Sequence, residues 1–69
     1  MITYTPINLK EKVEFEKEHQ LPYGYNNAEV FYSFDEAVNW FYKTLGPTER
    51  REWVIEKHSG GYTDIVFKL

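Results

Sequence analysis

The clearest hydrophobic periodicity in the chain lies between residues 33 and 46. Phe34, Val38, Phe41 and Leu45 fall within about 60° of one another on a helical wheel, flanked by Ala37 and Tyr42, while Asp35, Glu36, Asn39 and Lys43 point away. Ser33, with Glu36 three positions on, makes a capping box, so the spacing predicts an amphipathic helix over 34–45. Gly46 is expected to adopt the left-handed conformation just past the last turn, and Pro47 prevents continuation. Upstream, Ala28-Glu29-Val30-Phe31-Tyr32 is short and rich in β-formers, which predicts a strand handing over to the helix at Ser33.

Two alternating segments, 51–58 and 62–69, flank Ser59-Gly60-Gly61. A three-residue loop with Gly61 in the bulge position sets His58 opposite Tyr62. The pairs Ile55–Ile65 and Trp53–Phe67, joined by Leu69, then share a core face, and Val54–Val66, Glu56–Asp64 and Glu52–Lys68 share the other. A two-residue Gly60-Gly61 turn would instead pair Trp53 with Lys68 and split the apolar residues between faces, while gaining a Lys57–Asp64 pair. The three-residue loop is the expected one.

In the first 27 residues the pattern is weaker. Ile2 and Tyr4 alternate as a short strand ended by Pro6, and Asn8 with Glu11 imitates a second capping box. Composition predicts a short, poorly amphipathic helix over 9–19. The apolar positions Ile7, Leu9, Val13 and Phe15 share strand parity as well, and Leu21 to Asn27 reads as a loop. No repeat or linker divides the chain, so the expectation is one α+β domain over 1–69. It comprises a β-α-β-β unit, helix 34–45 packed on an antiparallel sheet with a C-terminal hairpin (51–58, 62–69), plus an N-terminal strand and helix 9–19.

Length and composition narrow the function. Sixty-nine residues leave little room for a core, a deep pocket and a lid together, which disfavours a multi-step enzyme. With no cysteine there is no disulfide, thiolate nucleophile or cysteine-ligated metal, and stability has to come from thirteen aromatic residues or from a partner. The absence of an export-signal pattern or a long apolar run points to a cytoplasmic protein without a membrane span. The net charge is −3, with seven acids against three lysines in residues 1–36 and five bases against four acids thereafter. Nucleic-acid binding by a broad basic face is disfavoured.

Candidate chemistry is sparse. His58, Ser59 and Asp64 carry the letters of a hydrolytic triad, but neighbours on a strand point to opposite faces. Glu16, Glu18 and His19 do not share one helical face as metal ligands would, and Gly60-Gly61 precedes a strand rather than the helix a phosphate loop requires. Thr48-Glu49-Arg50-Arg51 reads as a solvated corner. No catalytic, cofactor-binding or metal-binding residue is assigned. The residues that stand out for contact with a partner are aromatic: Trp40, about 120° off the helix stripe between Glu36 and Lys43, and Tyr23 and Tyr25 around Gly24. Val54 and Val66 on the outer sheet face are either covered by residues 1–20 or available for binding.

The run Glu29-Val-Phe-Tyr-Ser-Phe-Asp-Glu-Ala-Val-Asn-Trp-Phe-Tyr-Lys-Thr-Leu-Gly, with Glu52-Trp-Val-Ile-Glu-Lys and Tyr62-Thr-Asp-Ile-Val-Phe-Lys-Leu, resembles the β-α-β-β style of very small phage and prophage accessory proteins. That resemblance implies a non-enzymatic protein that binds and modulates a host protein, a CRISPR or restriction defence system among the candidates, and carries over no residue role. The expected function is therefore a small protein-binding module with a host-protein partner, self-association into a homodimer being a further expectation. The alternative is a single-stranded nucleic-acid binder that stacks bases on exposed aromatics.

Overall fold

In the computed structural model, which describes residues 1–25 and 28–69, the chain runs β1 (Ile2–Asn8), α1 (Leu9–His19), α2 (Phe34–Thr44), a 3-10 turn (Glu49–Arg51), β2 (Trp53–Ser59) and β3 (Tyr62–Lys68). The three strands form one antiparallel sheet in the order β1-β2-β3. Both helices begin where their caps predict. The Asn8 side chain accepts from the Glu11 N–H at 3.1 Å, and the Ser33 hydroxyl accepts from the Glu36 N–H at 3.1 Å. The α+β class and the helix over 9–19 follow the sequence reading, and five details depart from it.

First, Pro6 does not end β1; it pairs with Ile55 in mid-strand. Tyr4 exchanges both backbone hydrogen bonds with Phe31 (2.8 and 2.9 Å), so Tyr4, Pro6 and Asn8 turn their backbone groups away from β2. The missing N–H of Pro6 therefore costs the β1–β2 ladder nothing.

Second, the strand expected at Ala28–Tyr32 is a single bridge, Tyr4 to Phe31. The next hydrogen-bonded pair would join Pro6 to Glu29 and needs the N–H that Pro6 lacks, while on the other side the chain is already committed to the Ser33 cap. Asn26 and Asn27, the end of the loop expected from Leu21, lie outside the described residues.

Third, the hairpin uses the two-residue turn. Ser59 pairs with Tyr62 and Lys57 with Asp64, and Gly60 and Gly61 both have positive φ (53° and 86°), as a type I′ turn requires. The expected penalty, Trp53 opposite Lys68, is removed by a bulge: the register shifts between Ile55 and Glu56, Val66 is the extra residue, and Ile55 meets Phe67. The two-residue turn itself sets Ile65 opposite Glu56, off the core face, where it is half exposed.

Fourth, α2 ends without a left-handed Gly46. Leu45 adopts an extended conformation (φ −94°, ψ 136°) that carries its buried side chain into the core, and Gly46 sits before Pro47, where helical backbone is disfavoured. Fifth, β2 starts at Trp53 rather than Arg51, because Glu49–Arg51 coil into the 3-10 turn.

The two sheet faces are filled differently. On one, Ala37 and Phe41 of α2 and Leu45 just past its end bury themselves against Ile55, with Tyr4, Trp53 and Phe67 at the margin. On the other, Ile7 and Val54 are buried beneath α1, which packs on β1 and β2. The outer position of Val54 is thus covered by the N-terminal segment, whereas Val66, in the bulge, stays exposed. α1 meets the sheet through Leu9, Lys12 and Phe15, at intervals of three, and leaves Val13 exposed. A lysine in the middle of its inner face explains why its apolar pattern is hard to see.

Candidate functional site

The most concentrated chemistry lies under α1. Glu56, on the central strand, is 2 % exposed, and its carboxylate accepts from Lys12 Nζ at 2.7 Å and from the Tyr25 hydroxyl at 2.9 Å. Lys12 Nζ also reaches the Tyr25 hydroxyl at 3.0 Å, and His58 Nε2 lies 3.5 Å from Oε1, the carboxylate oxygen that Tyr25 bonds. A buried carboxylate is tolerable only when paired and hydrogen-bonded in this way. Burial alone would lower the Lys12 ammonium, but its bonds to Glu56 and Tyr25 outweigh that and raise it to about 12. Burial pushes the Tyr25 phenol up, Glu56 adds to the rise and Lys12 opposes it. Both directions lead away from a neutral lysine nucleophile or a phenolate base. The cluster is a structural pin that fastens α1 and the Tyr23–Tyr25 segment to the sheet.

This pin decides the position of two expected contact residues. Tyr25 is half-buried with its hydroxyl engaged, and its ring meets Tyr23 and His58 edge-on at 5.5 and 5.1 Å. Tyr23 continues the row to Phe15 at 5.8 Å. Trp40 lies across the sheet from them, half-buried between Phe31 and Trp53 at centroid distances of 6.3 and 5.8 Å, with Glu36 and Lys43 exposed on the same helix. The five expected contact residues therefore fall into two groups on opposite faces of the sheet. The triad letters also separate, since Asp64 pairs with Lys57 while His58 pairs with Thr63 and bonds its hydroxyl through Nδ1 at 3.1 Å.

A different surface emerges between α2 and β3. On the helical wheel Tyr42 lies on the flank opposite Trp40, and this flank faces β3. The Phe67 ring meets Phe34, Phe41 and Tyr42 at 6.1, 5.2 and 6.0 Å. Phe41 is buried, but Phe34 and Tyr42 are 37 % and 44 % exposed, so the row of rings runs out to solvent. Every residue of β3 except Phe67 is exposed, on both faces of the sheet, including Tyr62, Ile65 and Val66, and Leu69 follows. Arg50 braces the lower end: its guanidinium stacks on the Tyr42 ring at 4.9 Å and donates to the Tyr42 carbonyl at 2.8 Å, occupying one of the orphan acceptors at the end of α2. Thr48, Glu49 and Arg51 of this corner are exposed, as expected, and only Arg50 turns inward to brace the helix. Sequence reasoning passed over Phe34, Tyr42 and Phe67 because all three sit on or near the predicted apolar faces.

A cleft of about 330 Å³ opens at the end of β1, walled by Pro6, Ile7, Tyr23 and Trp53 with Glu11 at its rim. It is at the lower end of small-molecule sites. Among the described residues no group of acidic or histidine side chains is arranged to hold a metal ion, and no helix is long and apolar enough to cross a membrane. Comparison with protein-family models, with curated proteins and with solved structures finds no match.

Proposed function

We propose that the chain is a small non-enzymatic protein-binding module that docks its partner on the α2–β3 surface. The observation that carries this reading is β3 itself, an edge strand with Tyr62, Ile65 and Val66 exposed and an aromatic row from α2 beside it. An isolated exposed side chain needs no explanation, but three exposed apolar residues on one unpaired edge strand do, Tyr62 on the α2 face, Ile65 on the other and Val66 in the bulge. Tyr62 and Tyr42 supply rigid contact area, and Glu36 and Lys43 supply a charged rim on the outer side of α2. The finer reading, a phage or mobile-element protein that inhibits or modulates a host protein, rests on the resemblance of residues 29–69 to such proteins. Its site of action would be cytoplasmic.

The test is retention of a partner from extract of the native cell on the immobilised protein, compared with the double variant Tyr42→Ala, Tyr62→Ala. Tyr62 is 77 % exposed and Tyr42 44 %, with its ring on Phe67 and under Arg50, so the variant should melt somewhat lower but stay folded, while retention of the same partner falls at least about tenfold, as removal of two contact tyrosines implies. Undiminished retention by the folded variant would overturn the assignment of the surface. Binding of a mixed-sequence single-stranded oligonucleotide at physiological salt, with a steep salt slope, would favour the nucleic-acid alternative.

A further inference from the structure

We infer that the open edge of β3 takes up an extended segment of another protein as a fourth strand, and that this segment carries a lysine or arginine at its centre. The inference rests on the docking surface proposed above and specifies its occupant. Backbone alternation supplies the first argument. Tyr4 turns its polar groups toward Phe31, so Thr3, Thr5 and Ile7 face β2, and their partners His58, Glu56 and Val54 face β1. Lys57 and Ser59 therefore face β3, and Asp64 and Tyr62 opposite them face inward. Thr63 and Ile65 are left with both N–H and C=O directed at the open edge. Two residues at that spacing offer two donors and two acceptors to an added strand.

Charge supplies the second argument. Asp64 stands between those two residues, exposed and, among the described residues, without an ion pair. The acidic first turn of α2, Asp35 and Glu36, lies at the same end of the sheet, because Phe34 packs on Tyr4, whose partner Lys57 pairs with Asp64. A cationic side chain opposite Asp64 is favoured there, with β-branched residues opposite Thr63 and Ile65.

The same geometry disfavours a second copy of this chain. A two-fold that satisfies Thr63 and Ile65 of both copies sets Asp64 directly opposite the Asp64 of its mate, in the closely spaced non-hydrogen-bonded pair, where like charges repel. The Val66 bulge interrupts the ladder beyond Ile65 in either copy.

The probe is a capped heptapeptide of alternating valine and threonine with lysine at its centre, titrated into the isotope-labelled protein beside the same peptide with a central glutamate. The expected result is slowed amide exchange at Thr63 and Ile65 by at least about tenfold at saturation, with the lysine peptide binding about fivefold more tightly than the glutamate peptide. Ile65→Pro should abolish this protection at Thr63 without unfolding the protein, because the N–H it removes faces outward. Binding lost on Tyr42→Ala but unchanged on Ile65→Pro would overturn strand addition and leave the docking surface standing. Fast exchange at both amides with either peptide would overturn it, as would equal affinity for the two peptides. Protection without peptide that accompanies dimer formation in sedimentation would assign the edge to a second copy instead.

Discussion

Replacing Lys12 by methionine keeps the side-chain stem that covers the sheet and removes only the ammonium. Glu56, 2 % exposed, would then retain the Tyr25 hydroxyl and the more distant His58 but no full positive charge. Breaking one partner of a buried ion pair typically destabilises by about 3–5 kcal/mol, and the surviving Tyr25 bond puts Lys12→Met near the lower end, at about 3 kcal/mol. A domain of this length has roughly 3–10 kcal/mol in total, so the loss is a large fraction of its stability and lowers the melting temperature by roughly 12–24 °C. Urea denaturation of the wild type, Lys12→Met, Glu56→Gln and the double variant would measure it as a cycle. Because the uncompensated carboxylate is the cause, Glu56→Gln in the Lys12→Met background should recover about 2 kcal/mol. A loss below about 1 kcal/mol, or a double variant as unstable as the sum of the singles, would refute the view of this cluster as the pin of α1.

Other predictions follow from the same geometry. Lys12 binds its proton more tightly in the folded chain (about 12) than at its ordinary value of 10.5, so its stabilisation is complete below pH 10.5 and lost as pH rises toward 12; the raised Tyr25 phenol has the same sign. Melting temperatures should therefore fall steeply in that alkaline window, and less steeply for a Lys12→Met, Tyr25→Phe variant. Trp40→Ala empties the space between Phe31 and Trp53 and should cost about 2 kcal/mol by thermal melting, while leaving a foldable protein because the ring is only half-buried. Gly61→Val forces a β-branched residue to φ 86° and should destabilise by about 1–3 kcal/mol; a neutral result would argue against the type I′ turn.

The parts of the fold that were legible in the sequence are local. The caps at Asn8 and Ser33 mark both helix starts, and the stripe from Phe34 to Leu45 identifies α2, because these signals act within a turn or two of the chain. What escaped depends on partners distant in sequence. That Pro6 is harmless follows only once its nitrogen is known to face away from β2. The bulge at Val66 reconciles a two-residue turn with a single core face, and alternation by twos has no place for it. Glu56 was readable only as an outward strand residue, since its partner Lys12 is 44 positions away on a helix whose inner face carries that charge. The candidate site was half legible: the aromatics were conspicuous, but whether Trp40, Tyr25 or Tyr42 reaches solvent is set by which neighbours cover them.

On the proposed reading the protein acts through the α2–β3 surface, while α1 and its pin cover Ile7, Val54 and Glu56 on the opposite face of the sheet. Photo-crosslinking in the native cell tests this most directly, with a photoreactive phenylalanine placed singly at Tyr62, Tyr42 or Asp64 and, on the far side, at Glu18 or Glu14, all of them exposed positions. The account predicts one common protein adduct from the first three sites and none of it from the last two. The same adduct from Glu14 or Glu18, with silent β3 and Tyr42 sites, would contradict it.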